Sequence, residues 1–269
     1  MVHHRTGAPR PRLVGLPDGD GSMKFDAIIV AGGRGSRLGG RDKPLLAHGG
    51  STLLEHALRA SSAANRIAVV GPTELNPVIS DYAAGASAGQ ILTLTREYPA
   101  FAGPAAAVAA GLRSLGDGMD GDLPVPVERA PLTLILAADL IDPGPVVEGI
   151  VAHAGEQAAA GSVQPTPETE GIEAEGLGDA DFGRAWVPVD ANGRLQPLSC
   201  VVETEALLQA VESATSHGQG LANSSMMRLL AKVQIVRVSL DGVNYTDVDT
   251  WEDADRAGIS RPPDHDRGR

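Results

Sequence analysis

Residues 25–45 read FDAIIVAGGRGSRLGGRDKPL, in which an apolar run leads into a basic, glycine-rich loop. The run Ala27–Ala31 predicts a buried strand. The five glycines among residues 32–40 allow positive φ angles and close backbone approach, so several N–H groups can converge on one anion. Three arginines and Lys43 add positive charge to the same stretch. We therefore expect the loop to bind a pyrophosphate or triphosphate.

Two common phosphate-binding motifs do not fit this loop. A P-loop ends in Gly-Lys followed by Ser or Thr, whereas Lys43 is followed by Pro44. The dinucleotide fingerprint needs a third glycine where this chain has Leu38, and it continues directly into a helix. A flexible basic surface loop is the alternative interpretation on composition alone, and the Lys43-Pro44 ending disfavours it.

The composition excludes several classes of protein. The chain has 269 residues, a net charge of −12 and a pI near 5.0, which argues against nonspecific nucleic-acid binding. Its 42% hydrophobic residues are enough for a substantial core. The single cysteine, Cys200, allows neither an internal disulfide nor a Cys-rich zinc site, as expected in the cytoplasm. No apolar run reaches the length of a membrane span, and no secretory signal is visible.

Short apolar strands alternate with helical patterns along most of the chain, which predicts a parallel sheet covered on both faces. The predicted fold is a single α/β domain over residues 23–258, Rossmann-like, with a small β-hairpin excursion. The predicted strands are Ala27–Ala31, Ile67–Val70, Ile91–Leu94, Leu132–Ala138, Ala185–Val189, Pro197–Val202 and Val233–Val238. The predicted helices are Thr52–Ala60, Gly103–Leu112, Glu203–Ser213, one near Asn223–Lys232, and one that Thr250 caps and that runs to Ala257.

Other segments have no apolar period. Residues 1–22 predict a disordered leader, which a misassigned start or a vector sequence would also explain, and residues 259–269 predict a disordered tail. Leu115–Pro131 predicts a surface loop, and the acidic residues 158–183 predict a flexible insertion. Asn192-Gly193 predicts the turn of a hairpin.

The loop and its ending also resemble a known family. Ala31–Gly39 followed by Asp42-Lys43-Pro44-Leu45 resembles the signature of the MobA-like nucleotidyltransferases, closest in pattern to molybdenum cofactor guanylyltransferases. The resemblance covers Phe25 to about Ala257 in separated blocks. It implies the fold of the nucleotide-diphospho-sugar transferases.

The resemblance also implies roles for particular residues. Arg37, Lys43 and Asp139 would be catalytic, and Asp139 and Asp249 would hold Mg²⁺. The nucleotide would contact Val30, Ala31, Gly32, Gly33, Arg34, Gly35, Ser36, Arg37, Lys43, Glu97, Gly103 and Asp139. The acceptor would contact Gln196, Pro197, Leu198 and Asp247.

Two departures from the family pattern concern the acceptor. The family has Asp-x-Pro after the magnesium strand, whereas this chain has Asp139-Leu140-Ile141, and Trp251 replaces a common proline. From the residues alone, Asp139 could be a helix cap, and Asp247 and Asp249 could be solvated strand ends. These two aspartates alternate along an extended segment, so we expect only one of them to reach a metal. Cys200 is expected to be a buried structural thiol.

The function that the resemblance implies is transfer of GMP from GTP to the phosphate of a molybdopterin-type cofactor, with Mg²⁺ as cofactor and molybdoenzyme-maturation proteins as potential partners. A CTP-dependent cytidylyltransferase, or a guanylyltransferase for another small phosphorylated acceptor, would carry the same loop. A non-catalytic nucleotide-binding protein is an alternative of another class, and a dinucleotide-dependent oxidoreductase ranks last. No nucleic-acid or membrane partner is expected, and the sequence leaves the oligomeric state open.

Overall fold

The computed structural model describes residues 23–33, 42–86, 90–120, 123–159, 182–216, 220–248 and 250–259. Several predictions fall outside these residues. They concern the leader 1–22, nearly all of the insertion 158–183 and all but the first residue of the tail 259–269, together with Arg34, Gly35, Ser36, Arg37 and Asp249.

Eleven strands and seven α-helices are present in the described residues. The strands are β1 (Phe25–Val30), β2 (Ala47–His48), β3 (Ser51–Thr52), β4 (Arg66–Val70), β5 (Ile91–Thr95), β6 (Asp117–Asp120), β7 (Leu123–Pro126), β8 (Leu132–Ala137), β9 (Arg184–Val189), β10 (Ser199–Glu203) and β11 (Gln234–Ser239). The helices are α1 (Leu53–Ala60), α2 (Asn76–Gly85), α3 (Pro104–Gly116), α4 (Pro143–Ala159), α5 (Thr204–Ser216), α6 (Met226–Leu229) and α7 (Trp251–Arg256).

Seven of the strands form the central sheet, in the order β11-β9-β10-β8-β1-β4-β5. The pairs β8–β1, β1–β4, β4–β5 and β9–β11 are parallel, and only β10 runs against its two neighbours. The predicted mostly parallel sheet is therefore confirmed. So is the predicted hairpin, because β9 and β10 pair antiparallel and the turn at Gly193 closes by a hydrogen bond from its N–H to the Asp190 carbonyl (2.9 Å).

Successive residues of each central strand enter different cores, since side chains alternate between the two faces of a sheet. Ala27 and Ile29 of β1 pack with residues of α1, α2 and α4, whereas Ile28 packs with residues of α3, α5 and α6. All three side chains are fully buried. Covering both faces explains why the strands read as continuous apolar runs in the sequence.

Capping boxes open two helices where the sequence predicts them. At α1 the Thr52 hydroxyl accepts from the Glu55 N–H (3.2 Å), and the Glu55 carboxylate accepts from the Thr52 N–H (2.6 Å). Thr250 and Asp253 form the same arrangement at α7. These hydrogen bonds satisfy N–H groups that have no partner within the helix.

Other predictions are wrong. Leu115–Pro131 is not one surface loop. Helix α3 continues to Gly116, because Leu115 is buried in the core, and β6 then pairs antiparallel with β7. Proline is tolerated in such a two-stranded edge ribbon, where one side of each strand needs no ladder partner. The helix near Asn223–Lys232 is only the single turn α6.

Two helices, α2 and α4, have no counterpart in the sequence prediction. Among the described helices, none is long and apolar enough to cross a membrane.

Candidate active site

The carboxyl ends of β1, β4, β5 and β8 meet at one edge of the sheet, where open α/β sheets bind their ligands. Backbone hydrogen bonds hold the departing segments together. The Ala31 N–H donates to the Val70 carbonyl (2.8 Å), and the Ala138 N–H donates to the Val30 carbonyl (3.0 Å). The start of the glycine loop and the end of β8 are thereby held beside each other.

Lys43 is positioned by a short turn that follows the loop. Residues Lys43–Leu45 form one 3₁₀ turn, with buried Pro44 at its start and the Leu46 N–H donating to the Lys43 carbonyl (3.0 Å). The side chain of Lys43 reaches the end of β8, where its Nζ lies 3.5 Å from Oδ2 of Asp139. Both side chains are about three-quarters buried. Two residues that are distant in sequence thus form one charged pair.

A small cavity of about 30 Å³ surrounds this pair. Its walls are the backbone from Val30 to Gly33, the 42–44 segment and Asp139. A cationic side chain, a carboxylate and glycine backbone therefore face one space, which is the arrangement that phosphate groups and a bound cation need. Asp139 is not a helix cap, because α4 begins four residues later at Pro143.

A larger cavity of about 200 Å³ continues from the small one, since Gly32, Gly33 and Asp42 line both. Its far wall comes from the loop after β5. Glu97 in this loop is 7% exposed, and its Oε1 accepts from the Phe101 N–H (2.8 Å). Its Oε2 is buried and has no hydrogen-bond partner within the described part of the chain. A buried carboxylate oxygen in that state favours a ligand that donates hydrogen bonds.

Gly71 allows the loop after β4 to approach the loop after β1. A Cβ atom at this position would lie 2.6 Å from a methyl carbon of Leu75 and 3.1 Å from the Ala31 carbonyl oxygen. Only glycine fits there without moving its neighbours. Gly71 and the following Pro72 line the large cavity, so this close approach shapes the site.

Three of the predicted acceptor residues, Gln196, Pro197 and Leu198, lie on the other side of β8. The Leu198 carbonyl accepts from the Ala137 N–H (2.7 Å), which attaches the segment before β10 to the end of β8. Gln196 is held by Asp190, whose Oδ2 accepts from its side-chain amide (3.2 Å). The Pro197 carbonyl accepts from the thiol of Cys200 (3.1 Å). Neither cavity is lined by any of the predicted acceptor residues.

Asp247 lies beside the segment that contains Asp139. Asp247 forms an isolated antiparallel β-bridge with Leu140, and the Val248 N–H donates to the Asp139 carbonyl (3.3 Å). Asp247 is an exposed residue, and its backbone lies next to the segment that carries the candidate metal ligand.

The candidate donor set suits magnesium better than zinc. No group of three or more His, Cys, Asp or Glu side chains that could hold a metal ion exists among the described residues. Mg²⁺ needs no such cage, because it keeps several waters and is commonly held by one or two carboxylates together with substrate phosphates. Asp139, at the wall of the small cavity beside Lys43 and the glycine backbone, fits that mode.

Cys200 has the structural role that the sequence predicts. The thiol is fully buried in β10, and burial raises its pKa to about 12. A thiol in this state is not a nucleophile at neutral pH.

Sequence reasoning missed part of the large cavity. Its lining includes Asp42, Gly71, Glu74, Arg96 and Phe101, none of which was a predicted site residue. The available signals were the position of Asp42 next to Lys43 and of Arg96 and Phe101 next to Glu97. No pattern in the sequence shows that the loop after β5 turns these side chains toward the glycine loop.

Solved structures with the same fold include several enzymes. The 4-diphosphocytidyl-2C-methyl-D-erythritol synthase of Anaerococcus prevotii superposes with a TM-score of 0.54 at 12% identity, covering 88% of this chain and 97% of that one. The inositol-1-phosphate CTP transferase of T. maritima gives 0.54 at 13% identity, covering 88% and 95%. Rv0371c of Mycobacterium tuberculosis gives 0.51 at 17% identity, covering 89% and 100%. At these identities the comparison establishes the fold alone.

Comparison with curated proteins gives no match. A family model does match, and it covers most of the domain, from residue 27 in β1 to residue 236 in β11. The matched range contains the glycine loop, Lys43, Glu97, Asp139 and the β9–β10 hairpin. This chain belongs to the MobA-like NTP transferase family.

Proposed function

We propose that this nucleotidyltransferase transfers GMP from GTP to the phosphate of a molybdopterin-type acceptor and that it does so with Mg²⁺ in the cytoplasm. The observation that carries the proposal is the 3.5 Å pair of Lys43 and Asp139 beside the glycine backbone. A triphosphate bound at the open side of the small cavity would meet the ammonium group and the carboxylate together. The first residues of the predicted phosphate-binding loop, Gly32 and Gly33, line the same cavity.

The reaction is an in-line displacement at the α-phosphorus. An oxygen of the acceptor phosphate forms the new P–O bond while the bond from the α-phosphorus to the bridging oxygen breaks, and pyrophosphate leaves with the bonding electron pair. Such transfers depend mainly on positioning and on neutralising charge. Lys43 is the one cationic side chain among the described residues that lines the small cavity, so it stabilises the negative charge that develops on pyrophosphate.

Asp139 would hold the magnesium ion, whose charge draws electron density from the phosphate oxygens. The carboxylate fits this role because it lies at the carboxyl end of β8 and faces the small cavity. Without nucleotide, the Lys43 ammonium balances its charge. Arg37 and Asp249, which the family resemblance assigns to the phosphates and the metal, complete the proposed site.

Glu97 supports the choice of guanine. The Watson–Crick edge of guanine presents an N–H and an NH₂ group side by side, and a carboxylate accepts from both. Cytosine presents one NH₂ group beside a ring nitrogen that is itself an acceptor, which a carboxylate would repel. The buried Oε2 of Glu97 offers the additional acceptor that guanine needs.

CTP is the alternative substrate, and the structural neighbours favour it. One is named an inositol-1-phosphate CTP transferase and another a 4-diphosphocytidyl-2C-methyl-D-erythritol synthase, and each superposes on 88% of this chain. A guanylyltransferase that acts on another small phosphorylated acceptor is the other alternative.

The test is pyrophosphate release with each of the four nucleoside triphosphates, Mg²⁺ and a panel of acceptors that includes molybdopterin and small sugar phosphates. We expect turnover with GTP and molybdopterin. Turnover with CTP alone would replace the base that we propose, and turnover with another acceptor would replace the acceptor. No pyrophosphate with any pair would overturn the proposed reaction.

A further inference from the structure

We propose that Phe101 and Arg96 form a stacking platform for the nucleobase, and this inference rests on the proposed nucleotidyl transfer. Both residues line the large cavity. The guanidinium carbon of Arg96 lies 5.3 Å from the centroid of the Phe101 ring, which places a planar cation over an aromatic face. The Phe101 residue is 41% exposed, although its side chain is large and apolar. An apolar surface of that size at a cavity wall is typical of a ligand contact.

The platform is held in place before any ligand arrives. Phe101 has a φ of 64°, a left-handed conformation that is uncommon for a bulky residue. Its N–H donates to the buried Glu97 carboxylate (2.8 Å), and the carbonyl of the next residue, Ala102, accepts from the Asn223 N–H (2.6 Å). Both sides of Phe101 are therefore anchored to other parts of the fold. Backbone strain at a position fixed in this way is common at ligand-binding loops.

A planar, hydrogen-bonding ligand fits the chemistry of this cavity. The platform supplies a flat face, and Oε2 of Glu97, which has no hydrogen-bond partner among the described residues, supplies a buried acceptor in the same loop. Bases combine these features, because each has a π face and a polar edge. A base could stack on Arg96 and Phe101 while its edge donates hydrogen bonds to Glu97.

The connection between the two cavities places the base rather than the acceptor on this platform. Gly32, Gly33 and Asp42 line both cavities, so a ligand with its phosphates at Lys43 extends naturally into the large one. The predicted acceptor residues Gln196, Pro197 and Leu198 precede β10 and so lie across β8, on the side of the sheet away from β5. A pterin acceptor on the platform is the competing occupant, and binding measured without any acceptor distinguishes the two.

The experiment compares two ligands whose phosphates are alike. Isothermal titration calorimetry with Mg²⁺ and without acceptor would measure the affinity for two ligands. One is the nucleoside triphosphate that binds the wild-type protein most tightly, and the other is inorganic tripolyphosphate, which has no base. Phe101→Leu keeps an apolar side chain but removes the ring, and Arg96→Lys keeps the charge but removes the planar group. Tyr98→Ala is the matched control, because Tyr98 is 94% exposed in the same loop and lines neither cavity.

We expect Phe101→Leu to lower the affinity for the nucleotide about 5- to 100-fold, the range for losing one base–aromatic stack. Its affinity for tripolyphosphate should be unchanged. Arg96→Lys should weaken the nucleotide in the same selective way. Tyr98→Ala should bind both ligands like the wild type, and Phe101→Trp should restore the nucleotide affinity.

Three results would overturn the platform. Equal losses for both ligands would show that Phe101 only supports the fold of the loop. Unchanged nucleotide binding in both Phe101→Leu and Arg96→Lys would show that the base lies elsewhere, while nucleotidyl transfer would stand. If the wild-type protein bound tripolyphosphate but no nucleoside triphosphate, the platform and the proposed function would fail together.

Discussion

Glu97 is the single residue on which the choice of base depends most. Its carboxylate has one oxygen held by the Phe101 N–H and one buried oxygen without a partner among the described residues. The free-energy cost of leaving such an atom without a donor is about 1–3 kcal/mol. A ligand that supplies the missing hydrogen bond gains that amount, and this gain can determine which base is preferred.

Glu97→Gln tests this role of the carboxylate. The amide has similar volume, but it presents an NH₂ group to the two donors of guanine. We expect GTP affinity to fall roughly 10- to 100-fold, in line with one lost charge-assisted hydrogen bond. ITP lacks the 2-amino group, so its affinity should fall less. Titration of both nucleotides checks the difference, and equal losses for GTP and ITP would contradict the assignment.

Cys200 illustrates a residue that burial makes inert. Its pKa of about 12 leaves almost no thiolate at neutral pH. We expect no labelling by iodoacetamide at pH 8 in the folded protein and one equivalent in denaturant, measured by mass spectrometry. Rapid labelling of the folded protein would show that β10 opens readily or that the thiol is accessible.

At the scale of elements, α3 packs closely against the centre of the sheet because of Gly111. A Cβ atom there would lie 2.5 Å from Cγ2 of Ile28 and 3.1 Å from Cγ2 of Val70, both fully buried. Alanine is the better helix former, but β-branched side chains in a close-packed core have little room to move. Packing therefore outweighs helix propensity at this position.

Gly111→Ala should lower the free energy of unfolding by about 1–3 kcal/mol, the usual cost of overpacking. Gly85→Ala is the control in α2, where the residue is exposed and an added Cβ has no neighbour within 4 Å apart from the adjoining residues. The control should be neutral or slightly stabilising. Urea unfolding of both variants measures the difference, and a Gly111→Ala protein as stable as the control would contradict this packing argument.

The same elements show which features the sequence could predict. Buried parallel strands such as β1 and β8 are visible as apolar runs, and the start of α1 is visible in the Thr52–Glu55 pair, because these signals are local. The start of α4 has the sequence Pro-Gly-Pro, and the helix contains two further glycines, so local propensity does not indicate a helix there. Its buried positions are held by contacts with distant strands.

The candidate site was predictable to a similar degree. Lys43 and Asp139 could be expected together because parallel strands end at one edge. The orientation of Phe101 depends on its hydrogen bond to Glu97 and on the contact of Ala102 with Asn223. Asn223 is more than a hundred residues away along the chain, so this part of the site required the structure.

At the scale of the whole molecule, the charged side chains at the amino ends of the parallel strands differ in role from those at the carboxyl ends. Asp26 lies near the amino end of β1, away from the candidate site, and is 1% exposed. One of its oxygens accepts from the Ala130 N–H (2.8 Å), but burial raises the pKa of this carboxyl group above its ordinary value of 3.8. The folded state therefore binds the proton more tightly than the unfolded state, and stability falls as pH rises through the shifted pKa.

Asp26→Asn should consequently stabilise the protein at pH 7, because asparagine can still accept the Ala130 hydrogen bond without carrying a buried charge. The gain should shrink as pH falls and vanish below about pH 3.8, where both states of the wild type are protonated. Thermal unfolding at several pH values checks this. Asp81→Asn, at an exposed position of α2, should show no such trend, and a wild type more stable than Asp26→Asn at pH 7 would contradict the expectation.

The central claim concerns the carboxyl ends of the parallel strands, where one nucleotide should bind Lys43 directly and Asp139 through magnesium. The most direct measurement is GTP affinity with and without Mg²⁺ for the wild type, Asp139→Asn and the nearby exposed control Asp142→Asn. We predict that Mg²⁺ tightens binding at least about tenfold in the wild type and the control, and that Asp139→Asn removes this dependence. Equal magnesium dependence in all three proteins, or no nucleotide binding by the wild type, would contradict it.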